Sequence, residues 1–166
     1  MENIEQDEEY IKLVRNILDD EEFLKLKHCE HHGISRFDHS LKVSYSAYKY
    51  AKKHNYDYKS VAIGGLLHDF FVENNVNFKD KFKSFFTHPQ KAEINAIEKF
   101  NVNEKEANII RSHMFPFNLT MPKYKESWLV STYDKFIGLH EFSTKFNYQL
   151  KYSSNLLILL LFNFIK

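Results

Sequence analysis

The stretch from Tyr58 to Phe71, YKSVAIGGLLHDFF, constrains the fold of this chain more than any other. Small and apolar residues occupy most of its sides. A helix of that composition has no face fit for water and belongs at the centre of a packed domain. Gly64-Gly65 weakens such a helix by roughly 1 kcal/mol per Gly relative to Ala, and suggests close backbone packing at that point.

Helical patterns follow one another along the rest of the chain. Ile4, Ile11, Val14, Ile17 and Leu18 recur at a helical period. From Ser40 to His54, Leu41, Tyr45, Tyr48 and Lys52 share a face, with Val43, Ala47, Tyr50 and Ala51 beside it. Thr87-His88-Pro89-Gln90 reads as a helix start, with a Thr cap, Pro in the first turn and Gln three residues after the cap. Asn103-Glu104-Lys105-Glu106 carries the same cap-and-carboxylate signal for a helix running to about His113. Pro116 and Pro122 make Met114 to Lys123 a loop, and a last long helix is expected from about Glu126 to Phe146. No alternating strand pattern, internal repeat or long linker is present, so the expected fold is all-α and single-domain.

Composition supports a packed core. Leu, Ile, Val and Phe make up 51 of 166 residues, about 31%, well above the range of disordered chains. The net charge is +1, so no basic excess points to nucleic acid. The single cysteine, Cys29, excludes an internal disulfide framework and a paired-cysteine zinc site. The start, MENIEQDEEY, has neither the basic and apolar parts of a secretory signal nor the acid-poor character of a transit peptide, so a cytoplasmic location is expected. Residues 1–22 hold nine acids and two bases, read as a solvated helix face. The apolar run NLLILLLFNFI, Asn155 to Ile165, is eleven residues long, too short for the roughly 20 that a spanning helix needs. It reads as a buried terminal helix or a dimer contact.

Nine histidines are the most informative part of the composition. A lone helical histidine is ordinarily a capped or surface residue, and His54 and His140 have no better reading. His68-Asp69 differs, because it ends the apolar run Ala62–Leu67. Burying such groups without partners costs several kcal/mol, and metal coordination is one arrangement that satisfies both. Four other segments present a histidine or aspartate near a helix end or on a core face: His39, His88, His113 and Asp134.

The ordered series His39…His68-Asp69…His88…His113…Asp134 resembles the HD-domain metal-dependent phosphohydrolases. The local sequences DHSLKVS, AIGGLLHDF, RSHM and STYDK agree with that resemblance, which covers about residues 31–141. It implies a helical HD-type core over 28–146; the acidic helical segment at 1–27, expected to pack on the domain, and the apolar helix at 147–166 are read from composition. It also implies that His39, His68, Asp69 and Asp134 hold one metal, and that Asp69 bridges to a second held by His88 and His113. Imidazole and carboxylate ligands suit one or two divalent ions among Fe, Mn, Co, Ni and Zn. The implied activity is hydrolysis of a phosphate ester or anhydride of a nucleotide or small phosphorylated metabolite, with Asp69 and His68 at its centre. A catalytically silent metal- or nucleotide-binding regulatory module is the alternative. The lysine that many members carry three residues after the Asp is Val72 here, and the Gly-Tyr-Pro signature of the cyclic-dinucleotide group is missing. The spacing of 19 from Asp69 to His88 is short for that pattern.

Arg36, three residues before His39, and Lys135, directly after Asp134, are candidate phosphate contacts. Glu73 could serve as a general acid, although a solvated turn carboxylate is the simpler reading. His28-Cys29-Glu30-His31-His32 reads as a loop at the entrance to the site, with His32 nearest to substrate. Aromatic residues such as Tyr45, Tyr48, Phe115 and Phe117 are candidates for stacking on a nucleobase. A homodimer through the apolar C-terminus completes the expectations.

Overall fold

The computed structural model describes residues 4–31, 34–72 and 78–164, with side chains over 4–29, 34–72 and 83–147. Seven helices account for most of it: α1 Glu8–Leu18, α2 Glu21–Leu24, α3 Arg36–Lys53, α4 Tyr58–Leu67, α5 Phe78–Phe100, α6 Glu104–Ser112 and α7 Lys125–Phe164. The fold is all-α. Its one extended feature among the described residues is a minimal antiparallel ribbon, in which Glu30 and His31 pair with Ser35 and Ile34.

Helix α4 is the hub. It packs against α1, α3, α5, α6 and α7. Val61, Ala62, Leu66 and Leu67 are fully buried on its different sides. The glycine pair is what admits the neighbours. A Cβ on Gly65 would stand 3.1 Å from the backbone Cα of Ser44 on α3, and one on Gly64 would stand 2.8 Å from Ile109 Cγ2 on α6. The Ser44 hydroxyl donates to the Ala62 carbonyl at 2.7 Å and accepts from the Tyr10 hydroxyl at 2.8 Å, tying α1, α3 and α4 together.

The acidic arm is amphipathic. Tyr10, Val14 and Ile17 of α1 are buried, while Glu8 and Glu9 face water. Asp7 caps α1 by accepting from the Tyr10 amide at 3.0 Å, so the period seen from Ile4 to Leu18 is interrupted by a short 3-10 turn at Ile4–Gln6. Asn103 and Glu106 form the expected reciprocal cap of α6, at 3.0 and 2.9 Å.

Three boundaries differ from the sequence expectation. Helix α3 starts at Arg36 rather than Ser40, because Ser35 accepts from the Asp38 amide and caps it one turn earlier. His39 therefore lies inside the helix. Thr87 does not start a helix: α5 runs through Pro89. The missing proline N–H removes one backbone bond, and in the same turn the Thr87 hydroxyl donates to the Lys83 carbonyl and the His88 ring to the Ser84 carbonyl, both at 3.1 Å. Ala92 and Ala96, fully buried beyond the proline, hold the helix to the core. The expected helix at 147–166 is not a separate element, since α7 is a single helix of 40 residues through to Phe164.

Candidate metal centre

Five segments bring their polar side chains to one place. His39 comes from the second turn of α3, His68 and Asp69 from the end of α4, His88 from the middle of α5, His113 from the end of α6 and Asp134 from α7. Helices α4 and α6 end in the same way. Each has a histidine as its C-cap, and that ring donates Nδ1–H to the carbonyl three residues back: His68 to Gly65 at 2.8 Å, His113 to Ile110 at 2.7 Å. The bond satisfies a carbonyl that has lost its helical partner and also aims Nε2 into the cluster.

The cluster has two lobes. In one, His39 Nε2 lies 3.0 Å from Asp134 Oδ1, and His68 Nε2 lies 3.6 Å from the same oxygen. In the other, His88 Nε2 and His113 Nε2 are 3.0 Å apart, and Asp69 Oδ1 is 3.3 Å from the first and 3.7 Å from the second. Asp69 stands between the lobes, because its other oxygen, Oδ2, faces His68 Nε2 at 3.9 Å. His68 Nε2 is buried and makes no hydrogen bond.

Electrostatics divide the lobes as well. Burial opposes a charge on His39, but its hydrogen bonds to Asp134 and Glu141 prevail and lift its pKa to about 9. Burial would raise Asp134, yet His39 and His68 hold its carboxyl well below the usual carboxylate range. His113 goes the opposite way. Burial, with His68 and His88 beside it, depresses it to about 3, so it is a neutral imidazole at neutral pH.

These donors fit divalent metal. Two ligand atoms each about 2.1 Å from one ion stand roughly 3.0 to 3.4 Å apart, close to the separations within each lobe. His39, His68 and Asp134 form one group whose donor atoms lie within 4.8 Å of one another, and His68, Asp69 and His113 form another. Neutral Nε2 atoms with Nδ1–H donated elsewhere are the tautomer that a metal takes. A model of the HD domain matches residues 36–139, the span that holds all six side chains. The chain belongs to the HD-domain family. No curated protein and no solved structure matches it. As an HD domain it belongs to a family composed mostly of metal-dependent hydrolases.

Two of the expected phosphate contacts of this HD domain meet the protein's own groups in this structure. Arg36 is only 7% exposed. Its guanidinium stacks over the Phe71 ring at 3.8 Å, donates to the Phe71 carbonyl at 2.7 Å and lies 3.9 Å from Asp69 Oδ2. It therefore buttresses the turn that carries Asp69. Lys135 donates to the His113 carbonyl at 2.8 Å and to the Ser131 hydroxyl and carbonyl at 2.7 and 3.1 Å. Those three bonds use all its ammonium protons, so in this arrangement Lys135 closes the end of α6 rather than reaching for phosphate. His32 and Glu73 lie outside the described residues, as do the side chains of Glu30 and His31. His28 is exposed.

One residue of the site escaped the sequence reading. Glu141 Oε2 accepts from His39 Nδ1 at 2.8 Å, and its side chain is 5% exposed. The available signal was its spacing. Asp134, Gly138 and Glu141 fall at i, i+4 and i+7, one face of α7, and Gly138 leaves that face open where His39 approaches.

Proposed function

We propose that this HD domain is a phosphohydrolase that cleaves a phosphate ester or anhydride of a nucleotide or small phosphorylated metabolite. The observation that carries the reading is Asp69, a buried carboxylate with one oxygen turned to each of two histidine-lined lobes. That is the disposition of a bridging ligand. His39, His68 and Asp134 would hold one divalent ion, His88 and His113 a second, with Asp69 shared. Bound divalent ions supply Lewis acidity toward phosphoryl oxygens and a lowered pKa for a water at the site.

The chain's own residues prepare the site for this chemistry. Gly65, Ser84 and Ile110 carbonyls fix three imidazoles in the tautomer that presents Nε2. Arg36 steadies Asp69 from behind. His39, His68 and His113 are almost wholly buried, while the Asp134 side chain is 13% exposed and marks a side from which a substrate can reach the centre. Phe136, Leu139, Phe142 and Phe146 lie exposed on α7, which favours self-association through that helix.

Protein purified without chelator is expected to carry one to two transition ions per chain. Supplied in turn with manganese, cobalt, nickel, zinc and iron, it is expected to hydrolyse at least one member of a nucleotide panel. A metal-free preparation that takes up none of these ions, or a fully loaded one inert toward the panel and toward an aryl phosphate, overturns the reading.

A further inference from the structure

We infer that Glu141 is a positioning residue for His39, holding that imidazole as a metal ligand, and that Lys42 holds Glu141 in turn. The inference rests on the metal-binding reading above. Its basis is a chain of four side chains from two helices. Lys42 Nζ donates to Glu141 Oε1 at 3.0 Å, Glu141 Oε2 accepts from His39 Nδ1 at 2.8 Å, and His39 Nε2 faces Asp134 Oδ1 at 3.0 Å.

His39 is set apart from the other histidines of the centre. His68, His88 and His113 each give Nδ1–H to a carbonyl of their own helix, so local backbone geometry orients them. In those three cases, folding of one helix is enough. His39 sits in the second turn of α3, and its Nδ1 partner comes from a residue 102 positions away. The orientation of His39 therefore depends on α7 docking against α3. Glu141 is buried and its two oxygens have separate tasks, one on Lys42 and one on His39. A carboxylate behind a ligating imidazole fixes the tautomer and raises the ligand's basicity, and removal of such a partner weakens metal binding by roughly 10- to 100-fold.

This makes α7 a two-point support. Asp134 faces the Nε2 side of His39 and Glu141 the Nδ1 side, two turns apart on one helix face. Glutamine at 141 keeps an oxygen that can accept from Nδ1–H, whereas alanine keeps nothing.

The experiment titrates full-length protein with cobalt(II), following visible absorption, for the wild type, Glu141→Ala and Glu141→Gln. Zinc-loaded samples labelled with nitrogen-15 at histidine report the His39 tautomer by NMR, and circular dichroism checks that each variant is folded. The expected result is a dissociation constant raised roughly 10- to 100-fold for one cobalt site in Glu141→Ala. The second site is unchanged, the His39 Nδ1–H signal is lost to exchange with water once its acceptor is gone, and Glu141→Gln recovers most of the affinity. A folded Glu141→Ala that binds both ions as the wild type does overturns the inference. So does a folded Glu141→Gln that is as weak as the alanine variant. Wild-type protein that takes up no cobalt overturns the metal-binding reading itself, an outcome distinct from both.

Discussion

His88 Nε2 faces His113 Nε2 at 3.0 Å across the inside of the bundle, although the two rings come from different helices. With both Nδ1–H groups given to carbonyls, the two Nε2 atoms turn lone pairs toward each other, and His113 is held neutral. A cation between them and Asp69 would relieve that repulsion. His113→Ala is expected to lower the bound metal by about one ion per chain, and Asp69→Ala to remove more, since Asp69 serves both lobes. Elemental analysis after gel filtration reads the stoichiometry. Equal metal content in wild type and His113→Ala would remove the second lobe from the proposal.

Lys135 offers a direct contrast between a substrate contact and a structural cap. Lys135→Met is expected to cost about 1.5 to 3 kcal/mol of stability by removing charge-assisted hydrogen bonds to the His113 and Ser131 acceptors, although the His113 carbonyl keeps its bond from the Ser131 hydroxyl. Urea unfolding measures that loss. An unchanged midpoint together with a weakened KM for a phosphorylated substrate would restore the phosphate-contact role.

Gly64 leaves no room for a side chain against Ile109. Gly64→Ala is expected to destabilise by about 1 to 3 kcal/mol through overpacking, despite the better helix propensity of alanine. Gly64→Ala combined with Ile109→Ala is expected to lose less than the sum of the two single changes, because alanine at 109 removes the Cγ2 and Cδ1 atoms that a side chain at 64 would meet. Strict additivity in a double-mutant cycle would show that the contact is not the cause.

Asp20 gives a pH dependence whose sign can be worked out. Partial burial pushes its carboxyl up, but the Phe23 amide, the Lys99 ammonium and the Glu22 amide outweigh it and hold the pKa below 3.8. A depressed folded pKa stabilises the fold above the unfolded value of 3.8, and that contribution is lost as pH falls through the folded pKa. Asp20→Asn keeps the cap to α2 and removes the charge. Its urea midpoint is expected to lie slightly below wild type at neutral pH, the difference closing in acid. A difference that persists undiminished below the folded pKa would assign the effect to the cap rather than the charge.

Much of this arrangement is legible from residues alone. Helix α4 had to be central because Ala62–Leu67 offers no polar face. Gly64 and Gly65 marked close neighbours, which prove to be Ile109 and Ser44. Asn103 and Glu106 announced the start of α6 by a bond within one turn. Signals of this kind succeed because their physics is local. The Thr87-Pro89 signal misled for the complementary reason. Its residues suit a helix start, but burial of Ala92 and Ala96 beyond the proline keeps α5 continuous, and side-chain bonds to the Lys83 and Ser84 carbonyls support the interrupted turn.

The linear order of residues determined an all-helical chain, the hub helix and the ordered series of imidazoles and carboxylates. Only the tertiary structure decided how these groups are supported: that Glu141 stands behind His39, that Asp69 faces two lobes, that Arg36 reaches the Phe71 carbonyl, and that Lys135 reaches those of His113 and Ser131. Composition and period report which face of a segment avoids water. Which atom of one helix meets which atom of another depends on how the helices pack, and the helices pack where α4 lets them approach.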